Sequence, residues 1–206
     1  MRETLEEKLS RMTRYERELW RAGFQLAGID EVGRGSLAGP LAAACVSLPM
    51  DGLIMGVDDS KKCSPKLREA LYGELVGRAS YVKTAWVSPA DIDEVNVLNA
   101  TRRAMAEAAD GLAGAMFLVD AVEGLPLKGD VISIVRGDAR SYMIAAASII
   151  AKVERDRRMI ALDREYPEYG FARNKGYGTV EHVSALTRLG PCPEHRMSFV
   201  RKWLRA

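Results

Sequence analysis

The spacing of apolar positions changes along this chain, and the changes mark out its elements. Residues 4–21 are charged but place Leu5, Leu9, Met12 and Leu19 at roughly helical intervals, predicting an amphipathic lead-in helix that ends near Gly23. "FQLAGID" (24–30) then reads as a strand and "PLAAACVSL" (40–48) as a second, with a glycine turn between them. Ser64 followed by Pro65 is a strong helix start, because the serine oxygen caps a free amide and proline lacks the N–H that a first turn leaves unpaired. "SPKLREALYGELVG" is therefore predicted helical. A strand is expected at 80–88, helical pieces from Pro89, a clearer helix over 97–110, and strands at 115–120 and 130–138. "SYMIAAASIIAKVERDRRMIALDREY" (141–166) is the longest helical signal, and a last helix over 179–189 is stopped by Gly190-Pro191. Two strands, a helix, a strand, helices, two strands and further helices make a mixed α/β domain.

Composition narrows the class only a little. The 206 residues fit one domain, 1–206, with 1–24 as a helical lead-in and about 179–206 as a helical, basic tail. A hydrophobic content of 48% and charged content of 28% are ordinary for a globular protein. The net charge of +2 does not by itself argue for nucleic acid. From Arg188 onward, Arg188, Arg196, Arg201, Lys202 and Arg205 face a single acid, Glu194, so the tail could touch phosphates or simply be a solvated end. Cys45, Cys63 and Cys192 have no metal-ligand spacing, and Cys45 sits in an apolar run as a core residue. The start of the chain is too charged for a signal peptide, and no apolar run would span a bilayer, so a cytoplasmic protein without membrane contact is expected. Nothing signals an oligomer, and a monomer is expected.

Candidate chemistry lies at the strand ends. Asp30-Glu31, Asp120 and Asp138 each terminate or follow a predicted strand, where sites gather in open α/β sheets. Carboxylates converging from separate strands repel unless a cation sits among them. Oxygen ligands without histidine or thiolate suit Mg²⁺ or Mn²⁺, and a pair of such ions can activate a water and stabilise the leaving oxygen of a phosphodiester. Singly, Asp30 could cap a turn and Asp138 a helix; their coincidence favours a metal cluster. Side chains alternate along a strand, so Asp30 and Glu31 share a site only if the strand ends or bends there, which Gly33 permits.

"GRGSLAG" echoes a dinucleotide fingerprint, but its glycines precede Pro40 and a strand where the fingerprint needs a helix. The nucleotide-cradle reading falls. Asp156 falls on one helical face with Ile149, Val153 and Ile160 and is expected to form a structural pair with an arginine or a cap, too far along the helix to share ions with Asp138. Asp58 to Lys62 form a polar loop that is either a charged turn or a phosphate contact through Lys61 or Lys62. His182 and His195 lack partners at ligand spacing; His195 and Arg196 could touch a DNA backbone or pack a helix end.

The runs "AGIDEVGRGSLAGP" (27–40), "DSKK" (59–62), "NVLNATRRAM" (96–105), "LVDA" (118–121), "GDARSYMIAAASIIAKVERDR" (137–157), "YPEYGFARNKGYGT" (166–179) and "HRMSF" (195–199), in this order, resemble the bacterial ribonuclease HII family, the type 2 ribonucleases H. The resemblance covers nearly the whole chain. It implies a ribonuclease H-like fold, a mixed five-stranded sheet flanked by helices. It also implies a Mg²⁺- or Mn²⁺-dependent site on Asp30, Glu31, Asp120 and Asp138, holding two ions with substrate bound. The family hydrolyses RNA in RNA–DNA hybrids and single ribonucleotides in duplex DNA, on the 5′ side of the ribonucleotide, leaving a 3′-hydroxyl and a 5′-phosphate. It assigns Gly33, Arg34, Gly35 and Tyr177 to substrate binding at the junction. The 2′-OH separates RNA from DNA, and glycine lets backbone approach it. Ser36 stands where the family usually has proline, and Asn174 where histidine is common. Arg34, in place of lysine, and the short lead-in favour HII over the related HIII. Integrase- or resolvase-like DNA cleavage on the same fold, and a binding module with a decayed site, are the alternatives.

Overall fold

Burial on both faces of the first strands decides the architecture. In the computed structural model, which describes residues 3–204, β1 (Leu26–Val32) pairs antiparallel with β2 (Leu41–Ser47), from Gly28 opposite Val46 to Val32 opposite Ala42. β3 (Tyr81–Val87) extends the sheet antiparallel beyond β2. On the other side β4 (Met116–Asp120) runs parallel to β1, and β5 (Val131–Ile134) parallel to β4. The order is β3-β2-β1-β4-β5.

Side chains of opposite parity feed two cores. Ala44, Val46 and Leu118 pack with α6 (Tyr142–Glu165), whereas Ala43, Cys45, Phe117 and Val119 pack with α5 (Val97–Ala109). Small residues bring α6 close: a Cβ at Gly28 would stand 2.1 Å from the Met143 carbonyl carbon. Cys45 is fully buried, as expected, and burial pushes its thiol up to about 12. No helix among the described residues is long and apolar enough to cross a membrane.

Most elements fall near their expected positions, and the exceptions have local causes. The single lead-in helix is two, α1 (Leu5–Met12) and α2 (Arg14–Arg21), because buried Thr13 turns its hydroxyl back onto the Leu9 carbonyl at 2.7 Å. The strand expected over 130–138 is only β5, since Arg136 takes a left-handed φ of 57° and a 3₁₀ turn follows at Gly137–Ala139. α3 (Pro65–Arg78) begins with the predicted cap, the Ser64 hydroxyl accepting from Leu67 N–H. α4 (Pro89–Val95) precedes α5, and α8 (Val180–Leu189) matches the last predicted helix. A short helix, α7 (Phe171–Asn174), went unforeseen, and α9 (Met197–Val200) lies within the tail expected to be helical. Arg205 of the basic tail lies outside the described residues.

The lead-in helices grip the start of α6. Fully buried Glu16 accepts from the Ser141 hydroxyl (2.6 Å) and Met143 N–H (3.0 Å), satisfying free donors of a 24-residue helix. Arg11 donates to the Ala139 carbonyl at 3.1 Å, and Arg140 to the Tyr15 hydroxyl at 2.7 Å. Glu16→Ala would leave two buried donors unpaired and should lower stability by about 2–4 kcal/mol, read from urea midpoints against wild type. An unchanged midpoint would show that the lead-in does not cap α6.

Candidate active site

β1 and β4 run parallel and end at the same edge of the sheet, which concentrates acids. The last paired residues are Ile29 and Val119, so Asp30 and Asp120 emerge side by side from the ladder's end. Asp138 arrives from the 3₁₀ turn after β5. With Glu31 they line one cavity of about 410 Å³, together with Ser60, Lys61, Ser148, Lys152 and Tyr177. All four predicted acids and Tyr177 are thus brought together.

The expected end or bend at Asp30-Glu31 is corrected. β1 stays regular to Val32, paired with β2 throughout, and stops only before Gly33. Glu31 has the parity of Ile29, yet it reaches the cavity because β4 stops at Asp120 and no strand flanks Glu31 on that edge. The termination of the neighbouring strand does what a bend was expected to do.

Each acid leans on its own donor. Asp30 accepts from Glu31 N–H (2.8 Å), Glu31 from Arg34 (3.2 Å), Asp120 from Gly137 N–H (2.9 Å) and Asp138 from Lys61 (3.3 Å). Among the described residues, no three acidic, histidine or cysteine side chains stand close enough in this arrangement to enclose an ion. Glu31 Oε2 is buried with no partner, an acceptor to which a cation would be complementary. Burial, then the neighbouring Glu31, hold the Asp30 carboxyl well above the usual carboxylate range. Burial raises Glu31 despite Arg34, and raises Asp120 despite the Gly137 hydrogen bond, with Asp138 adding to the rise at Asp120. A hard, oxygen-only set whose charge is under-compensated fits a divalent cation.

The turn beside this cavity is built on two buried guanidiniums; sequence reasoning missed Arg155 and offered packing as one of two readings of Arg196. Arg155 donates to the Pro40 carbonyl (2.8 Å), Lys175 carbonyl (2.9 Å), Ser36 hydroxyl (2.8 Å) and Ala38 carbonyl (3.3 Å). Arg196 donates to the Gly39 carbonyl (2.9 Å) and the Arg34 carbonyl (3.0 Å). Gly33 has φ of 92°, and a Cβ there would lie 2.3 Å from Arg155 Nε. Gly35 differs: nothing lies within 4 Å of where its Cβ would be, so its outer side is open. Arg155 also sits 5.5 Å below the Tyr177 ring, supporting a half-exposed aromatic at the cavity's rim.

Other expectations divide. His195 and Arg196 are buried, which rules against DNA-backbone contact in this arrangement and for packing. The two histidines do find partners: His182 Nε2 meets His195 Nε2 at 3.0 Å, between Tyr169 and Phe171. Asp156 forms the expected structural pair, with Lys152 at 2.7 Å and Arg68 at 3.9 Å. Lys61 turns into the cavity, whereas Lys62 stays in the turn beside Asp58 at 3.8 Å. Ser148 and Lys152, which line the cavity, were also missed; their i,i+4 spacing in an alanine-rich helix was the available signal.

A five-stranded mixed sheet with acids gathered at the ends of its parallel strands defines a ribonuclease H-like hydrolase. The family model for ribonuclease HII matches residues 27–202. The ribonuclease HII of Geobacillus kaustophilus (strain HTA426) is 50% identical over 210 residues, covering 100% of this chain and 80% of that protein. That of Ruminiclostridium cellulolyticum is 46% identical over 201 residues, covering 96% and 79%. Among solved structures, the ribonuclease H2 of Pyrococcus horikoshii OT3 superposes with a TM-score of 0.73 at 27% identity, covering 88% of this chain and 97% of that one. A ribonuclease HIII solved with Mn²⁺ shares the fold at a TM-score of 0.67 and 18% identity, covering 88% and 70%. The chain belongs to the ribonuclease HII family. Its activity is that of a ribonuclease H, endonucleolytic hydrolysis of phosphodiester bonds in RNA–DNA substrates.

Two outcomes follow from these charges. Asp30→Asn keeps the acceptor for Glu31 N–H and removes a crowded charge, so in chelator its melting temperature should rise by roughly 2–4 °C, about 1 kcal/mol; a fall would show that the acids are not mutually strained. Burial lowers the pKa of both histidines, His195 to about 4. Their folded values lie below the unfolded one, so their contribution is intact above about pH 6.5 and is lost as pH falls toward 4, on the order of 3 kcal/mol for His195. Proton NMR of the imidazoles should show His195 titrating near 4 and His182 below its ordinary value; titration of His195 near 6.5 would contradict a buried neutral pair.

Proposed function

We propose that this ribonuclease is metal-dependent, that Asp30, Glu31, Asp120 and Asp138 hold its ions, and that Gly33, Arg34, Gly35 and Tyr177 read the RNA–DNA junction. The observation that carries the reading is the convergence of four acids from three chain segments on one cavity, with Glu31 Oε2 buried and unpartnered. Mg²⁺ or Mn²⁺ bound there, as two ions with substrate present, supplies activation of the attacking water and stabilisation of the leaving oxygen.

The chain's own groups do the rest. The four carboxylates, ionised once a cation offsets their crowding, fix where the scissile phosphate docks. Lys61 and Arg34, now paired with Asp138 and Glu31, and Lys152 in the cavity wall are cations that can meet the incoming phosphate. Among the described residues the amides of Arg34 and Gly35 have no hydrogen-bond partner. Beside the open side of Gly35, they can meet a 2′-OH and its adjoining phosphate without a side chain between them. Tyr177 presents its ring across the same cavity for stacking on the sugar or base at the junction. The substrates are RNA–DNA hybrids and duplex DNA with embedded single ribonucleotides, cut on the 5′ side to leave a 3′-hydroxyl and a 5′-phosphate.

The test uses a duplex with one ribonucleotide and an all-DNA duplex of the same sequence, each with and without Mg²⁺ or Mn²⁺. Cleavage is expected only of the first and only with metal. Asp120→Asn should lower turnover by at least about 10³-fold while leaving duplex affinity within about twofold. Wild-type turnover in that variant would remove Asp120 from the site. Equal cutting of both duplexes would remove the junction reading.

A further inference from the structure

Beside the acid cavity lies a second one, of about 400 Å³, between α6, the first turn of α3 and the loop after α7. Arg68, Lys152, Arg173 and Lys175 line it against two acids, Glu69 and Asp156. Both acids are already engaged, Glu69 by Arg157 at 2.5 Å and Asp156 by Lys152 at 2.7 Å. Lys175 has no carboxylate within ion-pair distance among the described residues, and it is held in place. Its φ is 52°, its carbonyl is bound by Arg155, and its ammonium donates to the Ala172 carbonyl. Burial lowers its pKa, while Asp156 and Asp163 oppose the nearby Lys152 and Arg68.

The two cavities are neighbours. Lys152 lines both, and Lys175 is two residues from Tyr177 on the rim of the first. Ser148 in the acid cavity and Asp156 in the basic one are eight residues apart on α6, about 12 Å at the rise of a helix. That distance equals roughly three to four base pairs of a nucleic-acid duplex.

We propose that this basic groove is a second binding site for the phosphodiester backbone of the duplex, taking one or two phosphates three to four base pairs from the bond that is cut. It rests on the nucleic-acid reading above and adds a footprint to it. Arg173, largely exposed and opposite Glu181 at 3.3 Å, is the mobile contact, and Lys175, pinned by Arg155, is the fixed one.

The experiment measures affinity for a ribonucleotide-containing duplex by fluorescence anisotropy without divalent metal, across a range of salt. Wild type is compared with the double variant Arg173→Gln/Lys175→Gln and with Arg78→Gln/Lys128→Gln, whose residues lie elsewhere and pair with Glu74 and Asp110. The first variant should bind about tenfold more weakly near 0.1 M salt, with a log–log salt slope shallower by about 2; the control should match wild type. Shortening one arm of the duplex to two base pairs from the ribonucleotide should cost wild type the same affinity and cost the double variant nothing further. Wild-type affinity and slope in a double variant with an unchanged melting temperature, or equal sensitivity to shortening, would overturn the proposal. If wild type neither bound the duplex here nor cut it once Mg²⁺ or Mn²⁺ was added, the reading of the acid site would fail instead.

Discussion

Two arginines buried without a carboxylate organise the functional end of this molecule. Removing a charge from water is expensive, and a partner acid is the usual compensation. Arg155 and Arg196 are compensated instead by backbone, with the carbonyls of residues 34, 38, 39, 40 and 175 turned inward onto them. Burial lowers both pKa values, but an arginine stays ionised in a protein, so the carbonyls stay pinned. The turn after β1, the loop bearing Tyr177 and the segment leading into α9 thereby become one piece. The main chain knits them further, with Leu37 N–H on the Gly176 carbonyl at 2.8 Å and Arg196 N–H on the Leu37 carbonyl at 2.9 Å. With so many carbonyls directed inward, the outer side of the turn is left to Arg34 and Gly35.

Across the cavity the balance is reversed. The acids at the ends of β1 and β4 and after β5 lack enough positive charge, and the flanking loops lend Lys61 and Arg34 to two of them. Such crowding costs stability, and functional sites commonly carry that cost while the rest of the fold supplies the margin. Here the margin comes from close contact of α6 with β1 and from the Glu16 cap at the start of the same helix. That cap lies three to five residues beyond Asp138, so the lead-in helices steady the chain that delivers the acid.

What the sequence disclosed, and what it hid, follows the range of the interactions. Ser64-Pro65 announced α3 because a helix start is local, and the acids stood out because each ends an apolar run. The turn after β1 was recognisable from its glycines and from the absence of a helix after them. Arg155 was not legible: its acceptors Ser36 and Pro40 lie 119 and 115 residues away. In isolation it was one more charge in a charged helix. The same holds for Glu16 toward Ser141, 125 residues apart, and for the Thr13 break, which only burial of the hydroxyl explains. The length of β1 could not be read from β1 alone either. Its end is set by β2, which still pairs at Val32, while access to Glu31 is set by where β4 stops.

The two departures from the family pattern belong to this long-range frame. A proline at position 36 would fix φ but offer no hydroxyl. Ser36 donates to the Gly33 carbonyl at 2.8 Å and accepts from Arg155 at 2.8 Å, so it closes the glycine turn and joins it to the buried guanidinium in one step. Asn174 works alike in the opposing loop. Its amide donates to the Tyr169 carbonyl at 2.7 Å, and its oxygen accepts from Gly176 N–H at 2.8 Å, setting the backbone that carries Tyr177. Gly176 in turn has no room for a side chain, since a Cβ there would meet the Ala38 carbonyl oxygen at 2.2 Å. Both residues are buried and neither lines the acid cavity. The departures therefore exchange one means of stiffening the turn for another. They leave the acids alone and act on the geometry with which the turn and Tyr177 face a substrate.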